Sequence, residues 1–208
     1  MSEANQFSFL DTSAREAGAI ETGVIPAAGI IVENRGRFKC QSGCPYFGSS
    51  LVCPPHAPKP EEFRKVLDEY SQAMVVRFQT TATAQDETAC SMLRLMTDPD
   101  IPECQREDLR QFYETFGADC RRFHLAMLSL EREAFRAGYP HAVALMPGPC
   151  LLCETCSGLN GACTHPTMRR FPADALGINL IRTAARAGME IRFPFHGSPS
   201  SVGILLIT

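Results

Sequence analysis

Seven of the chain's ten cysteines fall in two short stretches, and thiols gathered at such spacings are metal ligands by type. The denser stretch is Cys150-x2-Cys153-x2-Cys156-x6-Cys163. Two successive two-residue gaps let three thiolates reach neighbouring corners of a cubane as the backbone wraps it. The bacterial ferredoxin run opens in the same way, although its fourth cysteine follows after three residues. Gly148, Gly158 and Gly161 permit close approach of backbone N–H groups to the sulfurs. Zinc sites usually pair two short Cys-x2–4-Cys units across a longer spacer, a pattern that three overlapping cysteines suit poorly.

The other stretch holds Cys40, Cys44 and Cys53 in a loop rich in proline and glycine. Three thiolates can hold three irons of a cubane and leave the fourth to be found. His56, a remote cysteine, Cys163 crossing over, or an open iron that takes water or a small ligand are the options. The remaining thiols, Cys90, Cys104 and Cys120, read as structural; Cys120 lies on the apolar face of a long helix. His124 and His141 read as packed or surface histidines, and His196 as part of a surface turn. His165, beside Cys163, can donate to a cluster or be a plain loop residue. Arg35, Arg37 and Lys39 lead into the first group, and Arg169 and Arg170 follow the second. Their positive charge can offset an anionic cluster or simply face solvent.

The elements that must position these loops alternate between helix and strand. Residues 8–18 read as a short helix ending near Gly18. Residues 21–33 mix β-like runs with Pro26 and Gly29. Residues 34–59 read as irregular loop. Pro60 then opens a helix, with Glu61 and Glu62 at its positive end. Ala73 to Phe78 reads as a buried strand, and Met92, Leu93 and Met96 as one or two amphipathic turns within 80–104. A long helix is expected over roughly 105–137, stopped by Gly138 and Pro140. His141 to Leu145 reads as a strand feeding the second cysteine loop, 173–187 as a helix, and Ile191–Phe193 and Val202–Ile207 as late strands. The expected fold class is α/β: a mixed sheet with packed helices and two Cys-rich cluster-binding loops at 37–58 and 147–168, in a single domain over 1–208.

The composition is 45% hydrophobic and 21% charged, so the chain can build an ordinary core without help from its cysteines. A net charge of −3 gives no global attraction to nucleic acid or anionic membrane. Met1 to Asp11 lacks the pattern of a secretory signal, and no apolar run approaches the ~20 residues of a membrane span. A cytoplasmic location, where thiols stay reduced, is expected. Walker, GxGxxG, HExxH and GxSxG motifs are absent from the sequence, so nucleotide use and serine or zinc hydrolysis have no support.

Several segments in order carry a resemblance: RFKCQSGCPYFGSSLVCPP (37–55), PEEFRKVLDEY (60–70), LEREAFRAGYPHAVAL (130–145), GPCLLCETC (148–156), then Cys163, Pro166 and ALGINL (175–180). With them the chain resembles the predicted metal-binding proteins called domain of unknown function 2284, a Cys-rich group associated with anaerobes. The resemblance implies that Cys40, Cys44, Cys53, Cys150, Cys153, Cys156 and Cys163 are the metal ligands, and supplies no reaction. The family pattern has Arg after the last cysteine and a Pro-Ser pair before the closing helix; this chain has Thr164, then Phe171 and Pro172.

The expectation is an iron–sulfur protein with two [4Fe-4S] clusters, serving electron transfer or as an accessory of an anaerobic redox or corrinoid enzyme system. Its partner would be a redox protein, or a small ligand at an open iron; neither nucleic acid nor membrane is expected, and homo-oligomer formation is left open. The alternatives are an enzyme whose open-site cluster activates a small substrate or sulfur, a redox or oxygen sensor whose cluster loss changes a partner interface, and a zinc-stabilised binding module.

Overall fold

The computed structural model describes residues 6–44, 46–84, 100, 102–192, 195 and 197–208. Cys90, His196, Phe193 and the turns read around Met92–Met96 lie outside them. Helix α1 (Ser8–Glu16) leads to strand β1 (Ala19–Pro26) and a 3-10 turn (Ala27–Gly29). Helices α2 (Asn34–Gln41) and α3 (Pro60–Leu67) precede strand β2 (Gln72–Gln79). The long helix α4 (Glu103–Arg136), strand β3 (Val143–Leu145), helix α5 (Leu180–Arg186) and strand β4 (Ser200–Ile207) follow.

The four strands form one sheet in the order β1-β2-β4-β3, each pair antiparallel. The α/β expectation holds, with helices packed on both sides. Strand side chains alternate between faces. Met74, Val76, Phe78, Leu205 and Ile207 meet α1 and α4 on one side. Ala73, Val75, Ile204 and Leu206 meet Phe63, Leu67, Leu176 and Ala184 on the other. Burial on both faces is why β2 and β4 are near-continuous apolar runs. Phe123 of α4 stacks on Phe78 at 4.6 Å between ring centroids. A Cβ on Gly203 would lie 2.7 Å from the Met127 sulfur, so this glycine lets α4 lie close on β4.

Several segments depart from the sequence reading. Residues 34–41 are helical, although α2 buries no side chain. Its support comes from the adjoining chain: Arg37 donates to the carbonyls of Pro55, Ala57 and Pro58 at 3.2, 3.0 and 2.8 Å. The helix expected over 173–187 is broken. A 3-10 turn (Asp174–Leu176) ends at Gly177, which has φ +87°, and α5 begins afresh behind its N-cap Asn179, whose side chain accepts from the Arg182 amide. A Cβ at Gly177 would sit 2.7 Å from the Glu33 carbonyl oxygen, so close packing and backbone conformation both call for glycine. The strand read from His141 is shorter, beginning at Val143, and Ile191 and Arg192 are not in a strand.

Among the described residues no helix is long and apolar enough to cross a membrane.

Candidate metal centre

Both cysteine stretches leave the sheet as connections and are drawn together by pairing away from it. Val32 bridges Ile178, and Met146 bridges Pro172 in parallel. The Glu33 amide donates to the Gly177 carbonyl and the Asn179 amide to that of Ile31, both at 2.7 Å. Glu33 also takes hydrogen bonds from Arg35, Asn179 and Arg182, which hold its carboxyl down at about 2. The chain after the second cysteine stretch is thereby fastened to the chain before the first.

The second stretch rests on α4. Arg121 donates to the Leu151 carbonyl at 2.9 Å. His124, buried, pairs through Nε2 with the Met168 carbonyl at 2.8 Å, and burial lowers its pKa. Glu131 pairs with Arg170 and accepts the Ala144 amide at 2.7 Å. His124 is thus a loop anchor, consistent with the packed role expected for it. Cys150, Cys153, Cys156 and Cys163, all partly buried, line one recess with Ser50, Leu51, Val52, His165 and Arg169. Burial raises the Cys150 thiol, the Leu152 amide hydrogen bond lowers it, and Cys153, Cys156 and Cys163 raise it again.

The first stretch forms the wall of another recess, lined by Cys40, Cys44 and Cys53. Cys40 stands at the C-terminal end of α2, and the Cys44 amide turns back to its carbonyl. The Cys53 carbonyl accepts from the amides of both His56 and Ala57, which folds the chain tightly round that residue. Burial pushes the Cys40 thiol up to about 11, with Asp174 and the neighbouring thiols adding to the shift. Burial raises Cys53 as well, and Ser50, Asp174, Cys44 and Cys150 act on it in turn.

The two recesses share a wall. Val52 lines one and Cys53 the other, while Pro149 lines the first and Cys150 the second. In that wall the Ser50 hydroxyl is buried with no hydrogen-bond partner in good geometry, although it is near enough to lower the Cys53 pKa. A buried hydroxyl in this position is a donor whose natural acceptor is a sulfur. Gly158 makes room on the far side: a Cβ there would lie 2.3 Å from a Leu51 methyl and 3.7 Å from the Cys156 sulfur.

As placed, no three His, Cys, Asp or Glu side chains among the described residues converge closely enough to hold a single metal ion. The thiols line walls instead of meeting at a point. Four soft thiols at one recess, three at the next and an unpartnered donor between them suit a thiophilic metal group.

Of the other residues singled out by sequence, His56 is exposed and does not line the first recess. Cys163 lines the second recess with its own neighbours. Cys104 is exposed. Cys120 is buried in α4, which pushes its thiol up to about 12, and a Cβ on Gly148 would lie 3.4 Å from its sulfur. Arg37 is committed to the loop carbonyls and Arg170 to Glu131, so both act on the loops structurally. Arg169 is exposed at the second recess. Sequence reading missed Asp174, which lines the first recess. It stands far along the chain in PADALG, immediately before the quoted ALGINL segment, with no spacing signal to tie it to Cys40.

The family model of predicted metal-binding proteins designated domain of unknown function 2284 matches residues 23–207. No curated protein and no solved structure gives a match.

Proposed function

The chain belongs to this family of predicted metal-binding proteins, and we propose that it is an iron–sulfur protein with two adjacent cubane sites that carries electrons for a redox partner, directly or as an accessory of an anaerobic enzyme system. The observation behind this reading is the shared wall of the two thiol-lined recesses. Cys53 and Cys150 are close enough for the charge of one to act on the other. Two sites so near suit electron hopping better than two independent structural roles.

In this reading Cys150, Cys153, Cys156 and Cys163 hold one cluster by four thiolates, and Cys40, Cys44 and Cys53 hold the other. A cubane supplies reversible one-electron chemistry when bound. The chain tunes it through the donors it presents. The Leu152 amide acts on the Cys150 sulfur, the Ser50 hydroxyl stands between the sites, and Arg169 adds positive charge at the second recess. Each stabilises added negative charge and so favours the reduced state.

A second reading draws on the first recess, where three thiols leave a cubane one protein thiolate short. There the chain would expose an iron able to act as a Lewis acid on a small substrate.

Anaerobically purified protein should be brown and carry about eight irons with a similar amount of acid-labile sulfide. Colourless protein holding stoichiometric zinc overturns the proposal and favours a zinc-stabilised module. Two reversible one-electron waves insensitive to added thiols or small anions favour transfer. A first-site spectrum that shifts with such ligands favours catalysis.

A further inference from the structure

The first recess contains a carboxylate as well as its three thiols. Asp174 lines it together with Cys40, Cys44 and Cys53, the rest of the wall being Tyr46, Phe47, Ala175 and three prolines. The 3-10 turn that begins at Asp174 packs on α2, the helix whose last turn holds Cys40. A Cβ on Gly36 would be 3.8 Å from the Asp174 carbonyl oxygen, so the two elements approach closely. The turn is held from both sides, by the Ala173 amide to the Met146 carbonyl at 3.1 Å and by the Glu33 amide to Gly177. The negative charge of Asp174 is felt at both Cys40 and Cys53. Asp174 is exposed to solvent, although protein surrounds its carboxyl closely enough to raise its pKa. One of its oxygens accepts the Ala175 amide at 3.0 Å, and Lys39 offsets part of its charge.

A carboxylate that lines a recess beside three thiols is placed to join them on one metal group. The other options for a fourth ligand stand elsewhere: His56 outside the recess, Cys163 in the second recess, Cys120 within α4. We infer that Asp174 is the fourth protein ligand of the first site, an oxygen donor to the iron that Cys40, Cys44 and Cys53 leave uncovered. The inference rests on the iron–sulfur reading above and deepens it.

An oxygen ligand makes the two sites chemically unequal. Carboxylate is harder than thiolate and exchanges more readily on iron. The first site then has one iron that is covered at rest and can be uncovered for a small anionic or oxygen-bearing ligand. The second site, with thiolates alone, has no such iron.

Mössbauer spectra of the anaerobic full-length protein test this. About one iron in eight should show the larger isomer shift of an oxygen-ligated site. Asp174→Cys should convert that doublet to the thiolate type and slow EDTA extraction of iron from the first site on the order of tenfold. Asp174→Ala should alter or lose the doublet and speed extraction, while Tyr46→Phe leaves it in place. The second-site irons report that each variant is folded. A wild-type spectrum of thiolate-type irons only, or a doublet unchanged in both Asp174 variants, overturns the inference while leaving the two-cluster reading intact. A wild-type spectrum without the doublet overturns the inference even if a variant fails to fold, and the Asp174 variants separate the carboxylate from a bound water. Protein with no iron and no sulfide overturns the reading itself.

Discussion

The two recesses are neighbours, but they are built in different ways. The second takes all four thiols from one stretch of chain, 150–163, and leans on a rigid helix through Arg121, His124 and Glu131. The first takes three thiols from 40–53 and a carboxylate from the turn at 174, and its shape depends on a clamp by Arg37 and a pinned glycine at 177. A locally encoded site tolerates movement elsewhere in the molecule, because its donors travel together. A site composed from distant segments fails when any one of them shifts. If the proposed function holds, the difference suits a division of work, with a closed site for charge and an adjustable one for a ligand.

The strongest way to break this comparison is to remove one thiol from each site. Cys156→Ala should empty the second site and leave the first, and Cys44→Ala should do the reverse; each should remove about half of the iron and sulfide. If either substitution empties both, the recesses are one centre and the contrast is lost. Next in size is Arg37→Ala, which frees the carbonyls of Pro55, Ala57 and Pro58. Removing such a support should weaken metal retention at the first site on the order of tenfold, read by chelator competition, with the second site unchanged.

Gly177→Ala probes the non-local half more gently. A side chain at φ +87° and 2.7 Å from the Glu33 oxygen should cost about 1–3 kcal/mol of stability by denaturant titration. The accompanying shift should appear in the first-site spectrum alone. The smallest effect concerns pH in the metal-free protein. An unfolded cysteine ionises near 9.0, whereas burial holds the proton on Cys120 to about 12 and on Cys40 to about 11. Above the unfolded value the unfolded chain sheds protons that the native one keeps, so stability should fall as pH rises from 9. The slope is on the order of 1 kcal/mol per pH unit for each such thiol, and melting temperatures at pH 7 and 10 would measure it. Metal loading, which requires thiolates, should remove this dependence for Cys40 and leave it for Cys120.

Much of the fold was legible from residue patterns. The apolar runs of β2 and β4 announce strands buried on both faces, and the repeat through Leu109, Phe123, Met127 and Leu130 announces α4. Pro60 and Gly18 mark ends that the structure keeps. The helix α2 was not legible, because it buries no side chain and is supported by hydrogen bonds to a loop about 20 residues on. Nor was the break at Gly177, since its cause is a distant carbonyl that occupies the space a Cβ would need.

The same division runs through the site. Residue type and local spacing alone grouped Cys150, Cys153, Cys156 and Cys163, because a few covalent bonds limit how far apart those sulfurs can be. They likewise grouped Cys40, Cys44 and Cys53. That the two groups share a wall was decided only when the strand pairings at Val32–Ile178 and Met146–Pro172 brought separate stretches together. The arrival of Asp174 beside Cys40 was decided in the same way. Contacts between residues far apart in the chain, such as Val32 with Ile178, leave no spacing to read; they exist because burying both faces of the sheet fixes where its connections must cross.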